Sequence, residues 1–169
     1  MNTTLARYKN SLSEPEPALR GYSVYQYQTE AMPILLSWAV GSMVSGLLWL
    51  TSRSELLKGF GSQFLGWGVV NAAIAALGLS GATRNEKRRQ EGEISPTEHT
   101  HQAIQFERFV WFNVLLDIGY MLGGGLLARR NPDEPRKQGM GWGILLQGAF
   151  LFFWDILLAS IARRRRRGT

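Results

Sequence analysis

Four long stretches of this chain are almost free of charge, and the charged residues are gathered between and outside them. Met32–Thr51 and Phe60–Thr83 carry no charged side chain, while Phe109–Ala128 and Gly139–Ala162 carry one each, Asp117 and Asp155. A helix crosses the hydrocarbon layer with roughly 20 residues at about 1.5 Å of rise each. Backbone in lipid must satisfy its own hydrogen bonds, so these stretches predict helices. The expected fold is all-α: a polytopic membrane four-helix bundle built as two antiparallel hairpins. Short connections at 52–59 and 131–138 make sequential neighbours antiparallel. The middle connection, 84–108, is longer. Residues 1–31 form a polar N-terminal tail, 32–162 the transmembrane domain, and 163–169 a basic C-terminal tail. A soluble protein with four buried helices is the competing reading, but four such runs leave too little polar surface to coat a globule.

Charge sets the expected orientation. Lys and Arg on the side of the two tails and the middle loop number thirteen: Arg7, Lys9, Arg20, Arg84, Lys87, Arg88, Arg89, Arg108 and Arg163–Arg167. The opposite side has six: Arg53, Lys58, Arg129, Arg130, Arg136 and Lys137. The positive-inside rule then places both termini in the cytoplasm, as expected for a multi-pass protein of the cell inner (plasma) membrane. The net charge of +6 follows from this distribution. Arg163, Arg164, Arg165, Arg166 and Arg167 abut the fourth span and are expected to contact anionic lipid headgroups rather than nucleic acid. The first thirty residues lack the apolar core of a signal peptide, so no cleaved leader is expected. The chain has no cysteine, which excludes disulfides, thiolate metal sites and thiol catalysis.

Local signals sharpen the elements. Ser95-Pro96-Thr97-Glu98 has capping-box spacing with proline at the first helical position, and no Gly or Pro follows until Gly119. A helix from Ser95 or Pro96 should therefore run unbroken into the third span and project well beyond the bilayer. The second span should end near Thr83. Tyr22, Tyr25 and Tyr27 precede the first span and fit an aromatic belt at the headgroup layer. Gly66-Trp67-Gly68 in span two and Gly141-Trp142-Gly143 in span four suggest an internal repeat of two hairpins about an axis along the membrane normal, with coincidence as the alternative. Ser37, Gly41 and Ser45, and Gly119 and Gly123, form small-residue stripes suited either to packing inside the bundle or to a homodimer face.

The two intramembrane acids carry the candidate chemistry. A carboxylate in hydrocarbon is costly and is normally turned inward, so each marks a site. Both lie about 10–12 Å from the cytoplasmic boundary at 1.5 Å per residue. Asn113, Asp117 and Tyr120 share one helical stripe, Gln147 and Asp155 sit near two turns apart, and Gln63, Trp67 and Asn71 form a third stripe. Turned inward, they make a polar seam. Two close carboxyls cannot both ionise cheaply, so they would share a proton. Such a seam serves either as a hydrogen-bonded lock between helices or as a proton or cation site. Glu98 and His101 are spaced i, i+3 as in carboxylate-bridged metal bundles, but only one such unit is present, so no metal and no cofactor is expected. Known hydrolase, phosphate-loop and zinc-protease motifs are absent, and no catalytic residue and no enzyme activity is expected.

Phe112-Asn113-Val114-Leu115-Leu116-Asp117-Ile118-Gly119-Tyr120-Met121-Leu122-Gly123-Gly124 and Leu146-Gln147-Gly148-Ala149-Phe150-Leu151-Phe152-Phe153-Trp154-Asp155 resemble the signature stretches of an uncharacterised family of small bacterial four-span membrane proteins, a domain of unknown function. The Gly-Trp-Gly and Asn71 of span two are similar to its second-helix pattern. The resemblance covers roughly Met32 to Ala162 and implies fold and topology, not activity. The expected role is non-enzymatic: an accessory, scaffolding or assembly subunit with a membrane-protein partner or a second copy of itself. The alternative is a small oligomeric transporter or channel using Asp117 and Asp155 for protons or cations.

Overall fold

A computed structural model describes residues 23–167 of the chain; residues 1–22 of the N-terminal tail, Tyr22 among them, lie outside the described residues. It is all-α. Four helices follow in order: α1 (Val24–Leu50), α2 (Glu55–Gln90), α3 (Pro96–Arg130) and α4 (Pro135–Arg167). All four are long and apolar enough to cross a membrane.

Helix ends follow local chemistry. Ser23, Ser54 and Ser95 each cap a helix by accepting from a backbone N–H three residues on. The α3 helix starts at Pro96 and runs without a break to Arg130. Its Glu98 does not complete the capping box with Ser95; it accepts from Gln102 at 3.1 Å instead. Several boundaries differ from expectation: α2 begins at Glu55 rather than Phe60, and α4 runs from Pro135 to Arg167 rather than over 139–162, taking in most of the basic tail. Helix α1 begins at Val24, eight residues before the apolar stretch. Helix α2 continues past Thr83 to Gln90, because residues 84–90 contain no Gly or Pro and Glu86 pairs with Arg89 and Gln90 along the helix. The chain turns only at Gly92, whose φ of +78° suits glycine.

Helices α1 and α2 form one antiparallel hairpin and α3 and α4 another, and α2 packs along α4 in parallel to join them. All three seams are made by glycines at backbone-to-backbone contacts. A Cβ placed on Gly46 would lie 2.6 Å from the Leu65 nitrogen, and one on Gly124 would lie 2.7 Å from the Leu145 nitrogen. At the α2–α4 seam, Gly59 meets Arg136 and Met140 while Gly139 meets Leu56 and Phe60, each too closely for any side chain. Without a hydrophobic drive between helices in lipid, such close approach is what holds them together.

These contacts are reciprocal, the mark of a two-fold axis. Adding 80 to an α2 residue gives its α4 counterpart (Gly59 and Gly139, Gly61 and Gly141, Gly68 and Gly148). Adding 78 to an α1 residue gives its α3 counterpart (Met43 and Met121, Gly46 and Gly124). Gly68 rests on Met43 as Gly148 rests on Met121. The repeat is therefore real, but its register is not that of the two Gly-Trp-Gly motifs. Trp67 turns toward Tyr120, whereas Trp142 is exposed on the outside.

The small-residue stripes do not pack within the fold. Gly41, Gly119 and Gly123 face outward, where an added Cβ would meet nothing within 4 Å. The tyrosines likewise depart from an aromatic belt: Tyr25 and Tyr27 are buried. Tyr27 donates to the Leu158 carbonyl at 3.0 Å, and Tyr25 donates to Gln102 at 2.7 Å. Because α1 starts early, both fall inside the helical packing.

Candidate functional site

Asp117 and Asp155 are buried and line one cavity of about 210 Å³ between α2, α3 and α4. Asn71, Asn113, Trp67 and Tyr120 line it as well. On α3, residues 113, 117 and 120 fall on one stripe, so a single helix face presents an amide, a carboxyl and a phenol to the same space. The rings of Trp67 and Tyr120 meet edge-on at 4.9 Å beside it. Asn71 Nδ2 and Asp117 Oδ2 are buried without a hydrogen-bond partner. Buried polar atoms are nearly always satisfied, so two orphans in one cavity call for a ligand or water. Val70, Ile74, Leu116 and Tyr120 are between 38 and 51% exposed and frame an opening that faces sideways, between α2 and α3.

The expected seam is thus split. Gln147 does not join the acids. It lies on the other flank of the α2–α4 pair, where it accepts from the Trp38 indole at 2.9 Å and donates to Ser42 at 3.0 Å. Gln63 packs against Gly143 at the α2–α4 seam rather than in the cavity. The reason is rotation: Gln147 and Asp155 are eight residues apart, which at 3.6 per turn leaves them about 80° apart around α4.

The repeat explains what makes this flank different. Asp117 and Asp155 stand where the other hairpin and flank have Ala39 and Ala75, both fully buried. Leu116 and Val70 stand where the other flank has Trp38 and Phe150, which stack at 3.7 Å and fill the groove. One flank is plugged by two large rings, and the equivalent flank is lined by acids.

Beyond the apolar stretches, at the end where α1 begins and α4 finishes, a second polar cluster ties α1 to α2 and α3. Ser23 donates to Glu86. Glu86 is gripped bidentately by Arg89 at 2.8 and 3.0 Å. Val24 N–H donates to His99 Nε2 at 3.2 Å, and the His99 ring meets Tyr25 edge-on. Burial, and then the nearby Arg89 guanidinium, hold the His99 pKa below the usual histidine value, partly opposed by Glu86. Burial pushes the Glu86 carboxyl up, but its bonds from Arg89, Ser23 and Gln90 outweigh this and leave it lowered. Sequence reading missed this cluster, since its members come from three separate helices.

The arginine run is partly turned back on the protein. Arg166 pairs with Glu107 at 2.9 Å and Arg163 with the same carboxyl at 3.8 Å. Arg165 pairs with Glu30 at 3.5 Å and lies 5.1 Å over the Tyr27 ring. Arg164 is exposed, and the Arg167 side chain lies outside what is described. Among the described residues, no three His, Cys, Asp or Glu come together as a metal site.

A family of unknown function, DUF6992, matches residues 34–156. The chain belongs to this family. The DUF6992 match takes in every residue of the cavity, from Leu35 to Asp155, and leaves out Ser23, Tyr25 and the arginine run. No curated protein and no solved structure matches the chain.

Proposed function

We propose that this DUF6992 member is a non-enzymatic membrane protein that binds a proton or a cation inside the bilayer, at Asp117 and Asp155. The observation that carries the reading is the convergence of both acids with an unpartnered amide and an unpartnered carboxyl oxygen in one cavity. A structural lock would pair these groups with one another, as Gln147 is paired with Trp38 and Ser42. The test is cation binding and flux by the protein reconstituted in vesicles. Asp117→Asn and Asp155→Asn should each abolish both while leaving thermal stability intact. Unchanged binding and flux in these variants would remove the reading. The proposed setting is the inner (plasma) membrane with both ends cytoplasmic, from the thirteen-to-six split of Lys and Arg. A reporter fused after Thr169 should then be cytoplasmic, and a tag in the 131–134 turn reachable from outside intact cells.

A second reading, an accessory subunit packed against a membrane partner or a second copy, is favoured by the outward-facing Gly41, Gly119 and Gly123. Such stripes let backbones approach closely. Gly119→Leu with Gly123→Leu should then release whatever co-purifies in mild detergent, without loss of the monomer's fold.

A further inference from the structure

We infer that the cavity's ligand is an organic ammonium ion, an amine bearing a short apolar chain, which enters sideways from the acyl-chain layer between α2 and α3. This inference rests on the cation-binding reading of the same cavity and names the class of cation.

Size comes first. At about 210 Å³ the cavity has room for several waters or a small molecule, far more than one bare metal ion fills. Its donor set also fits an inorganic ion poorly. Hard cations ask for six or more oxygens at close range, and among the described residues no cluster of three metal-binding acids or imidazoles exists. The cavity offers two carboxyls beside two aromatic rings. Carboxylates give an ammonium group charge-assisted hydrogen bonds. Aromatic ring faces attract cations, more so where water is excluded. Trp67 and Tyr120 supply those rings at 4.9 Å from each other, next to Asp117.

The walls and the route agree with this class. Val70 and Leu116 are aliphatic and frame the lateral opening. An alkyl chain moving from lipid onto these walls exchanges one apolar surface for another, so the chain is tolerated and the charged head decides the binding. The equivalent flank closes this route with Trp38 stacked on Phe150 and carries alanines in place of the acids. At the level of the two acids, the α2–α3 flank therefore combines an opening with charge; the apolar pocket of the α1–α4 flank lies nearer the start of α1, and its Glu30 is already paired with Arg165.

The same comparison supplies the test. The full-length protein in lipid nanodiscs is titrated by calorimetry with n-hexylammonium, with 1-hexanol as the uncharged probe of equal chain length and sodium or potassium chloride as inorganic probes. Wild type is expected to bind one hexylammonium per chain saturably and hexanol not at all. Asp117→Asn and Asp155→Asn should each weaken hexylammonium at least tenfold. Val70→Phe with Leu116→Trp copies the plug of the opposite flank, leaves both acids in place, and should weaken binding at least tenfold as well. If that pair of changes does not fold, Val70→Phe alone carries half the plug, and hexylammonium binding at wild-type strength in it overturns the proposal. Hexanol binding as tightly as hexylammonium, or uptake that never saturates, also overturns it. Sodium, potassium or proton binding that depends on Asp117 and Asp155 with no hexylammonium binding refutes the amine class and keeps the cation reading. Loss of all acid-dependent binding refutes both.

Discussion

The two flanks of the α2–α4 pair share one backbone plan and have opposite contents. On the α1–α4 flank, Trp38 lies flat on Phe150, and its indole N–H is taken up by Gln147, which in turn reaches Ser42. Every polar atom of Gln147 that matters has a partner. On the α2–α3 flank, smaller side chains leave a cavity, and Asn71 and Asp117 each keep an unpartnered polar atom. The glycine seams are equivalent on both flanks, so the backbone is not the cause. A handful of side chains turns one groove into packing and the other into a site. Polar residues in a membrane protein thus need sorting by partner: a satisfied one holds helices together, an unsatisfied one is kept for something else.

The comparison can be broken at four points. The largest effect is expected where both flanks depend on one contact. Gly139→Leu puts a side chain into the Leu56 backbone, where neither helix can give way, and should exceed the roughly 1–3 kcal/mol usual for overpacking. Loss of a monodisperse, thermally cooperative species in detergent is the expected result, with the outward-facing Gly119→Leu near wild type as control. A folded Gly139→Leu protein would mean the α2–α4 seam is not what joins the halves.

Next comes the plug. Trp38→Ala removes the ring stacked on Phe150 and strands Gln147 Oε1, so a loss of about 3 kcal/mol is expected in thermal or chemical unfolding. Leu116→Ala, at the equivalent place beside the cavity, should cost well under half of that because little packs on it.

Third, the polar groups of the two flanks should respond oppositely. Gln147→Leu is expected to destabilise by about 1–2 kcal/mol, the upper range for interhelical hydrogen bonds in membranes. Asp117→Leu removes an unpartnered buried group and should be neutral or stabilising. Equal losses in both would erase the distinction between lock and site.

The smallest effect concerns the cluster where α1 begins, which ties α1 to its neighbours. The pKa of His99 is lower in the fold than its ordinary 6.5, so the unfolded chain binds the extra proton first. Stability is fully present above about 6.5 and is lost progressively as pH falls below it toward the lower folded pKa. The melting temperature of wild type relative to that of His99→Gln should therefore fall between pH 7.5 and 5.5. A difference that stays constant across this range would show that His99 does not couple α3 to the start of α1.

Membrane helices were legible in the sequence because lipid imposes a plain rule: apolar length, self-satisfied backbone, charge at the ends. Four stretches almost free of charge became four helices, and Ser95-Pro96 marked the start of α3. Asp117 and Asp155 also declared themselves, since a carboxyl in hydrocarbon needs a reason. Helix ends beyond the apolar stretches were less legible. Hydropathy says where lipid begins, not where a helix stops, and charged residues such as Glu86 and Arg89 sustain α2 by pairing along it. The repeat was visible only as a suspicion and in the wrong register. Its true signature is glycine at seams and methionine beneath them, at offsets of 78 and 80 that two additional residues at the end of α3 make unequal. What only the tertiary structure decided was direction: Gln147 and Asp155, neighbours by helical spacing, point to opposite flanks. Whether a buried polar side chain finds a partner or an open cavity depends on what the other three helices bring to that place, and no single helix carries that information.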